Sequence, residues 1–250
     1  MQPMDLTGKT VLVTGASSGI GRAAALDCSR LGAKVVLTGR DAKRLEETRA
    51  RLSGEGHLSL VQDFSGQEDL EPFFRKMLSE TGRLDGMIHC AGIPGVIPLR
   101  ALSRKQLEPV MEINFYSFVE LARQFARKRY SRDGASIVAL SAALIHRPRP
   151  YELAYVASKA ALEAAVPVLS MELRDRKIRV NSLSPGAVRT EMLDRLAEEL
   201  DNRDFLESGG GVSAVNWQTP EEVAKVCAFL ISDAASAMNG RNILADGGFL

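Results

Sequence analysis

The stretch Thr14-Gly15-Ala16-Ser17-Ser18-Gly19-Ile20-Gly21 follows the apolar run Val11-Leu12-Val13 and precedes the amphipathic segment 22–31. Glycine permits a tight turn, a close approach of backbone to a pyrophosphate and close packing of the next helix, whose N-terminal N–H groups favour the anion. Three glycines alone would also fit an ordinary turn, but their position between a strand and a helix predicts a dinucleotide-binding loop. The residues expected to contact this cofactor are Gly15, Ser17, Ser18, Gly19, Ile20 and Gly21.

Short apolar and β-branched runs alternate with amphipathic segments along the rest of the chain. The candidate strands are 9–14, 34–38, 57–62, 84–89, 135–140, 178–183 and 241–245. Repetition of strand, helix and strand means a parallel sheet with right-handed crossovers, and continuously apolar strands indicate a sheet covered on both faces. No repeat, low-complexity tract or linker divides the sequence. We therefore expect an α/β protein over residues 1–250: a single-domain Rossmann fold with a doubly wound parallel sheet of about seven strands and helices on both faces.

The composition excludes several classes of protein. With 45% hydrophobic and 25% charged residues the chain suits a globular core, and a net charge of +1 gives no field that would draw it to a nucleic acid or an anionic membrane. No continuous apolar run reaches the ~18 residues of a membrane span, and the start lacks the pattern of a signal peptide. Cys28, Cys90 and Cys227 form no CxxC pair, which argues against disulfides or a metal site. These features predict a cytoplasmic protein with a small-molecule partner.

The end of the second predicted strand indicates which dinucleotide binds. A site that prefers NAD has an Asp or Glu there to accept hydrogen bonds from the ribose 2′-OH, whereas this chain has Thr38-Gly39-Arg40. The guanidinium of Arg40 can pair with a 2′-phosphate, although a solvated loop arginine is the alternative. Asp41 follows directly and either caps the next helix or reaches the ribose. The sequence favours NADP(H) over NAD(H).

Further motifs follow the glycine loop in a specific order. They are Asn114, Ser141, Tyr155-Val156-Ala157-Ser158-Lys159, Pro185-Gly186 and Asp246-Gly247-Gly248. This order resembles that of the short-chain dehydrogenase/reductase family, from about residue 5 to the last residue. A lone YxxxK is a weak signal, but of the 4 tyrosines only Tyr155 has a lysine four positions on, and the ordered set is specific.

The spacing of Tyr155 and Lys159 has a chemical meaning of its own. On a helix the two side chains lie one turn apart on one face, so the ammonium can sit near the phenol. Lowering a phenol pKa of about 10 by ~3 units requires ~4 kcal/mol of preferential phenolate stabilisation, which the lysine and an oxidised nicotinamide can supply. Tyr155 would then donate a proton to a carbonyl oxygen during reduction and take it back during oxidation.

Two more residues complete the predicted catalytic set. Ser141 ends the apolar run 137–140, where its hydroxyl can bond the substrate oxygen. It is not expected to be a nucleophile, because there is no GxSxG and the 3 histidines lie in no triad-like setting. The resemblance implies that Asn114 positions a water linking Lys159 to solvent, whereas the residues alone indicate only a polar side chain in a helix.

The resemblance also implies the remaining cofactor contacts. Asp63 and Phe64 would meet the adenine, Cys90, Ala91 and Gly92 would form the loop after the fourth strand, and Pro185, Gly186, Val188 and Thr190 would lie along the nicotinamide, with Tyr155 and Lys159 beside it. The family commonly has Asn-Ala-Gly where this chain has Cys90-Ala91-Gly92. A thiol cannot replace the carboxamide, so we expect backbone groups to line the cofactor and some sheet stability to be lost.

The segment that follows Tyr155 is expected to take part in assembly. Residues 154–171 are apolar almost all round, which predicts a self-complementary helix contact in a homodimer or homotetramer. Pro167 is expected to kink or end this helix, because it removes a backbone hydrogen bond.

The substrate site is the least specified part of the sequence. Residues 190–215 contain Ser208-Gly209-Gly210-Gly211, either the hinge of a mobile lid over the substrate or an ordinary surface loop. The basic loop 146–150, with Arg147 and Arg149, either guides an anionic substrate or faces water.

These features predict an oxidoreductase that transfers a hydride between NADP(H) and a carbonyl or secondary alcohol substrate. The resemblance suggests a 3-oxoacyl thioester, which no residue of the sequence specifies. The alternatives are an NAD(P)-dependent dehydrogenase of a steroid-like or sugar alcohol and a non-catalytic NADP(H)-sensing protein. The complete set of Ser141, Tyr155 and Lys159 argues against a sensor, which has no chemical need for it.

Overall fold

A seven-stranded parallel sheet forms the centre of the protein, in the strand order β3-β2-β1-β4-β5-β6-β7. The structure, a computed structural model, describes residues 4–66, 69–199 and 217–248. The strands are β1 (Thr10–Thr14), β2 (Lys34–Gly39), β3 (Leu58–Val61), β4 (Leu84–His89), β5 (Ser131–Leu140), β6 (Arg179–Pro185) and β7 (Asn242–Ala245). All predicted strands are confirmed. β5 begins earlier than predicted because the polar residue Ser131 pairs with Leu84 of β4 across a register shift.

Helices cover both faces of the sheet. They are α1 (Gly19–Arg30), α2 (Ala42–Arg49), α3 (Glu71–Thr81), α4 (Arg104–Met111), α5 (Ser117–Phe125), α6 (Leu153–Glu172), α7 (Glu191–Glu199) and α8 (Pro220–Ile231). On one face Val11 and Val13 of β1 pack with residues of α1 and α8, and on the other Leu12 packs with residues of α3, α5 and α6. The doubly wound fold predicted from the sequence is confirmed.

The strand order reverses at β1, which has β2 on one side and β4 on the other. Connections from the two neighbouring strands therefore leave in opposite directions, and a crevice forms at the carboxyl ends of β1 and β4. Thr14 and His89 are the last residues of these strands and pair with each other. The predicted phosphate loop and the predicted loop 90–92 follow them directly.

α6 differs from its predicted form. It runs through Pro167 to Glu172, so of the two outcomes predicted for the proline, a kink or an end of the helix, the end is wrong. Pro167 lies at an exposed position of the helix. The helix is long and apolar enough to cross a membrane, which the count of uninterrupted apolar residues missed. In the structure, however, Leu162 and Val166 of α6 pack in the core against the sheet.

Candidate functional site

The glycine loop after β1 is shaped by backbone contacts that leave no room for side chains. A Cβ at Gly15 would lie 2.9 Å from the backbone of Cys90 and Ala91, and one at Gly21 would lie 2.3 Å from the Gly15 carbonyl oxygen. Gly15 also has φ of +64°, which favours glycine. The loop leads into the N-terminus of α1 at Gly19, where free N–H groups can bind an anion. This bare backbone cradle fits the pyrophosphate of a dinucleotide.

Thr14 and His89 hold the two loops of the crevice together. The Thr14 hydroxyl accepts hydrogen bonds from the backbone N–H groups of Cys90 and Ala91, both at 3.1 Å. Because both acceptor positions are used, the hydroxyl donates to Nδ1 of His89, 3.1 Å away. Burial lowers the pKa of His89 to about 3, so the ring is neutral with its proton on Nε2. Sequence reasoning assigned no role to either side chain, and the only signal for one was the position of both residues at the ends of predicted strands.

Tyr155 and Lys159 lie near the start of α6, and the buried ammonium of Lys159 reaches back to the sheet. It donates a hydrogen bond to the Leu140 carbonyl oxygen at 2.7 Å, and its nitrogen lies 5.9 Å from the centre of the Tyr155 ring. Burial lowers the pKa of Lys159 to about 8, because desolvation penalises the charged form. At neutral pH most molecules therefore carry Lys159 in its charged, protonated form.

The Tyr155 phenol is protonated in the protein alone. Burial, with the Glu152 carboxylate adding to it, raises the pKa of Tyr155 to about 12. The protein by itself therefore does not produce the lowered pKa expected from the sequence. Desolvation of the phenol is the main cause, and the Lys159 ammonium, which is bonded to the Leu140 carbonyl oxygen and lies 5.9 Å from the ring centre, does not offset it. A protonated phenol is in the state that a proton donor needs.

Ser141 lies in the same corner, one residue beyond β5. Its backbone N–H donates to the Leu183 carbonyl oxygen at 2.7 Å, which fixes the residue to the neighbouring strand β6. Its hydroxyl donates to the Lys159 carbonyl oxygen over a long 3.4 Å. Ser141 and Lys159 are thus in contact, with Tyr155 one helical turn away. A hydrogen bond of this length is weak, so the Ser141 hydroxyl can readily leave the carbonyl oxygen and donate to a closer acceptor.

Asn114 lies in a π-helical turn, Glu112–Tyr116, inserted between α4 and α5. Its buried amide exchanges two hydrogen bonds with the backbone of Ile93, at 2.8 and 3.1 Å, and donates a third to the Ser158 hydroxyl at 2.9 Å. A Cβ at Gly92 would lie 3.3 Å from the Asn114 oxygen and 3.4 Å from the Lys159 nitrogen. Asn114 is therefore a neighbour of the lysine, as the predicted relay requires. π-helical turns often occur at functional sites, but no sequence pattern predicted this one.

The adenosine side of the predicted site is formed by the ends of β2 and β3. Asp41 caps α2 by accepting a hydrogen bond from the Arg44 N–H at 3.0 Å, so the capping alternative holds, while Arg40 is exposed. Asp63 is also exposed, and its carboxylate accepts a bond from the Ser65 N–H at 2.9 Å. Phe64 is buried and lines a cavity of about 590 Å³.

The segment after β6 closes the site from the other side. Its predicted cofactor-binding residues are Pro185, Gly186, Val188 and Thr190. Gly186 donates its N–H to the Gln218 side chain at 2.9 Å, and Val188 pairs with Gln218 in an isolated β-bridge. The methyl carbon of Thr190 lies 3.3 Å from the position of a Cβ at Gly19, so this segment reaches the phosphate loop. Sequence reasoning missed Gln218.

Two sequence predictions are only partly covered here. The glycine run Ser208-Gly209-Gly210-Gly211 of the predicted lid lies outside the described residues, whereas α7 at its start is described. Within the part of the chain that the structure describes, no cluster of three or more His, Cys, Asp or Glu side chains could hold a metal ion.

Known proteins resemble this chain over nearly all of its length. A family model described as enoyl-(acyl carrier protein) reductase matches residues 15–250. A 2,3-dihydro-2,3-dihydroxybenzoate dehydrogenase of Escherichia coli is 34% identical over 98% of both chains. A 3-oxoacyl-acyl-carrier-protein reductase of Rickettsia prowazekii is 31% identical over 99% of both.

The solved structure of a short-chain dehydrogenase/reductase from Serratia marcescens superposes with a TM-score of 0.85 at 27% identity, covering 98% of this chain and 99% of that one. Together with the shared fold and the ordered motifs, these matches assign the chain to a family of oxidoreductases that use nicotinamide cofactors and act on small molecules. The chain belongs to the short-chain dehydrogenase/reductase family.

Proposed function

We propose that this protein is an NADP(H)-dependent oxidoreductase that interconverts a carbonyl compound and a secondary alcohol. The observation that carries the proposal is the corner formed by Ser141, Tyr155 and Lys159. There a protonated phenol lies near a buried ammonium and a weakly bonded hydroxyl.

Each residue has a separate task in this reaction. The nicotinamide, when bound, supplies the hydride. The Ser141 hydroxyl exchanges its 3.4 Å bond to the Lys159 carbonyl for one to the substrate oxygen and so orients it. Tyr155 donates its proton to that oxygen as negative charge develops there. The Lys159 charge stabilises the phenolate that remains, and Asn114 helps to return a proton from solvent.

The preference for NADP(H) is supported by the charges at the end of β2. The Asp41 carboxylate binds the first turn of α2, and this makes Arg40 the exposed charged group of the loop. A guanidinium suits a 2′-phosphate, whereas a ribose 2′-OH is best met by a carboxylate.

We further propose a 3-oxoacyl thioester as the first substrate class to test. The reductase named above acts on such a substrate by its name, and the family model carries a related description. Arg149 forms an ion pair with Glu152 at 3.0 Å, so part of the positive charge of loop 146–150 is compensated within the protein. This weakens the case for strong electrostatic guidance of the substrate by that loop.

We also propose that the protein forms a homo-oligomer and is located in the cytoplasm. Leu153, Val168 and Met171 are exposed apolar residues of α6 that suit a contact in a homodimer or homotetramer of a cytoplasmic enzyme. Gel filtration with light scattering tests the assembly. A single species of 27.1 kDa would contradict it.

The main test follows NADPH consumption with a panel of ketones and 3-oxoacyl thioesters. Tyr155→Phe should reduce turnover at least about a hundredfold while NADPH still binds, because only the proton donor is lost. Tyr151→Phe is the matched control, since Tyr151 is 59% exposed and lies outside α6, four residues before Tyr155. Equal turnover in wild type and Tyr155→Phe would refute the mechanism.

A further inference from the structure

Glu191, the first residue of α7, pairs with two arginines beside the phosphate loop. One Glu191 oxygen forms a close ion pair with Nη2 of Arg44 on α2. The other lies 3.6 Å from Nη1 of Arg22 on α1. Arg44 and Glu191 are 147 positions apart in the chain, so the pair joins elements that the sheet alone would not connect. All three side chains are partly buried, and the attraction between their charges is therefore stronger than in a fully exposed pair.

This charge cluster lies beside the glycine loop and the end of β2, where the 2′-phosphate of the cofactor is expected. Arg22 donates one hydrogen bond to the Ser17 carbonyl oxygen and another to the Thr48 hydroxyl. The Ser17 hydroxyl lies 3.6 Å from the position that a Cβ at Gly39 would occupy. Gly39 directly precedes Arg40. A 2′-phosphate held by Arg40 would therefore lie in the neighbourhood of the cluster.

We propose that Arg44 is a second ligand of the 2′-phosphate and that Glu191 neutralises it while the site holds no phosphate. This inference rests on the proposed preference for NADP(H). A guanidinium already held by a carboxylate is oriented to bind another planar or tetrahedral anion in the same way. A phosphate carries more charge than one carboxylate and displaces Glu191 from Arg44. NAD(H) has no such group, so Arg44 and Glu191 discriminate between the two cofactors.

The exchange also connects the two ends of the cofactor site. Glu191 directly follows Thr190, whose methyl carbon lies against Gly19 of the phosphate loop. A Glu191 carboxylate displaced from Arg44 still has Arg22 at 3.6 Å and Arg195 of its own helix at 3.9 Å, so the first turn of α7 stays beside the phosphate loop. The effect on binding is nevertheless separable from catalysis, because fragments of the cofactor test the phosphate alone.

The experiment compares the binding of adenosine 2′,5′-bisphosphate and adenosine 5′-monophosphate by calorimetry. Arg44→Gln should weaken the bisphosphate about tenfold and leave the monophosphate unchanged, since one charge-assisted contact is lost. Glu191→Gln should tighten the bisphosphate severalfold without changing the monophosphate. In the Arg44→Gln background, Glu191→Gln should give no such gain. Lys43→Gln, at an exposed neighbour on α2, is the matched control and should bind both like wild type.

Unchanged bisphosphate binding in Arg44→Gln would overturn the inference, as would equal weakening of both nucleotides in Glu191→Gln. The latter result would make the pair a structural tie of α7. If Arg44→Gln does not fold, Glu191→Gln decides alone. Arg40→Ala separates the two proposals: if it loses the preference for the bisphosphate while Arg44→Gln keeps it, only this inference fails. If wild type shows no preference, the proposed cofactor choice fails as well.

Discussion

The ammonium of Lys159 donates a hydrogen bond to the Leu140 carbonyl oxygen at 2.7 Å, and its nitrogen stands 5.9 Å from the centre of the Tyr155 ring. The lysine is thus tied to the end of β5, where Ser141 follows, instead of being paired with the phenol. Its charge lies near enough to stabilise a phenolate when one forms but does not create one beforehand. Interactions that strengthen as charge develops are those that accelerate a reaction.

The first prediction concerns the cost of burying this charge. The pKa of Lys159 is about 8 against an ordinary value of 10.5, so at neutral pH the buried charge destabilises the fold by about 3 kcal/mol. Between pH 8 and 10.5 the folded protein releases its proton before the unfolded chain does. Stability contributed by this group therefore rises with pH. In denaturant unfolding, the free energy of unfolding of the wild type should rise relative to that of Lys159→Met between pH 7 and 10.

Lys225→Met, at an exposed position of α8, is the control and should show no such trend. The measurement stops at pH 10 because Tyr155 has the opposite effect above it. Its pKa is raised from 10.0 to about 12, so its stabilising contribution is lost as pH rises through that range. A constant difference between wild type and Lys159→Met would mean that the lysine is not desolvated.

A second prediction concerns Glu152, whose carboxylate helps to raise the pKa of Tyr155. Glu152→Gln removes that charge, and the pKa of Tyr155 should fall by up to about one unit, since the ion pair with Arg149 already compensates part of it. The phenolate then forms at lower pH. The alkaline rise of kcat/KM for alcohol oxidation should move to lower pH by the same amount.

Arg149→Gln serves as the opposite control, because it exposes the Glu152 charge and should move the profile to higher pH. Profiles that coincide for wild type and both variants would show that Glu152 does not act on the phenol.

The fold was predictable because its signals are local. Each strand is a short apolar run. The glycines that follow β1 indicate a loop without room for side chains, and a Cβ at Gly21 would indeed lie only 2.3 Å from a backbone oxygen. The Tyr155 and Lys159 spacing likewise follows from helix geometry. The position of Asp41 before α2 left a helix cap and a ribose contact open, and the bond from the Arg44 N–H shows the cap.

Other parts of the site depend on contacts between distant segments. The pairing of Arg44 with Glu191 has no local signature, nor has the π-helical turn around Asn114. The lowered pKa of Tyr155 was expected from the lysine together with an oxidised nicotinamide, and the sequence does not show the burial that raises it in the protein alone. Pro167 was expected to kink or end α6, but the helix does not end there, because its tertiary packing overrides the cost of one missing hydrogen bond.

A third prediction tests whether Asn114 is a structural tie as well as part of the site. Asn114→Ala removes its three hydrogen bonds and leaves the N–H and carbonyl of Ile93 without these partners. The free energy of unfolding should fall by about 2–4 kcal/mol. Ser158→Ala removes one of these bonds and the bond that its hydroxyl donates to the Tyr155 carbonyl oxygen at 2.7 Å, and it should cost about 1–2 kcal/mol. Equal, small losses in both variants, measured by urea unfolding, would contradict this account.

The last prediction separates steric fit from backbone strain in the phosphate loop. Gly21→Ala places a methyl group 2.3 Å from the Gly15 carbonyl oxygen, a backbone atom that can yield only if the loop opens. Stability should fall by about 1–3 kcal/mol, and both NADPH and NADH should bind at least tenfold more weakly, because the cradle serves the pyrophosphate they share. In Gly134→Ala the φ of +82° is strained but the new methyl group meets nothing within 4 Å. That control should lose about 1 kcal/mol and bind both cofactors normally. If Gly21→Ala binds them as wild type does, the anion does not sit in this loop, and the site must be sought elsewhere along the strand ends.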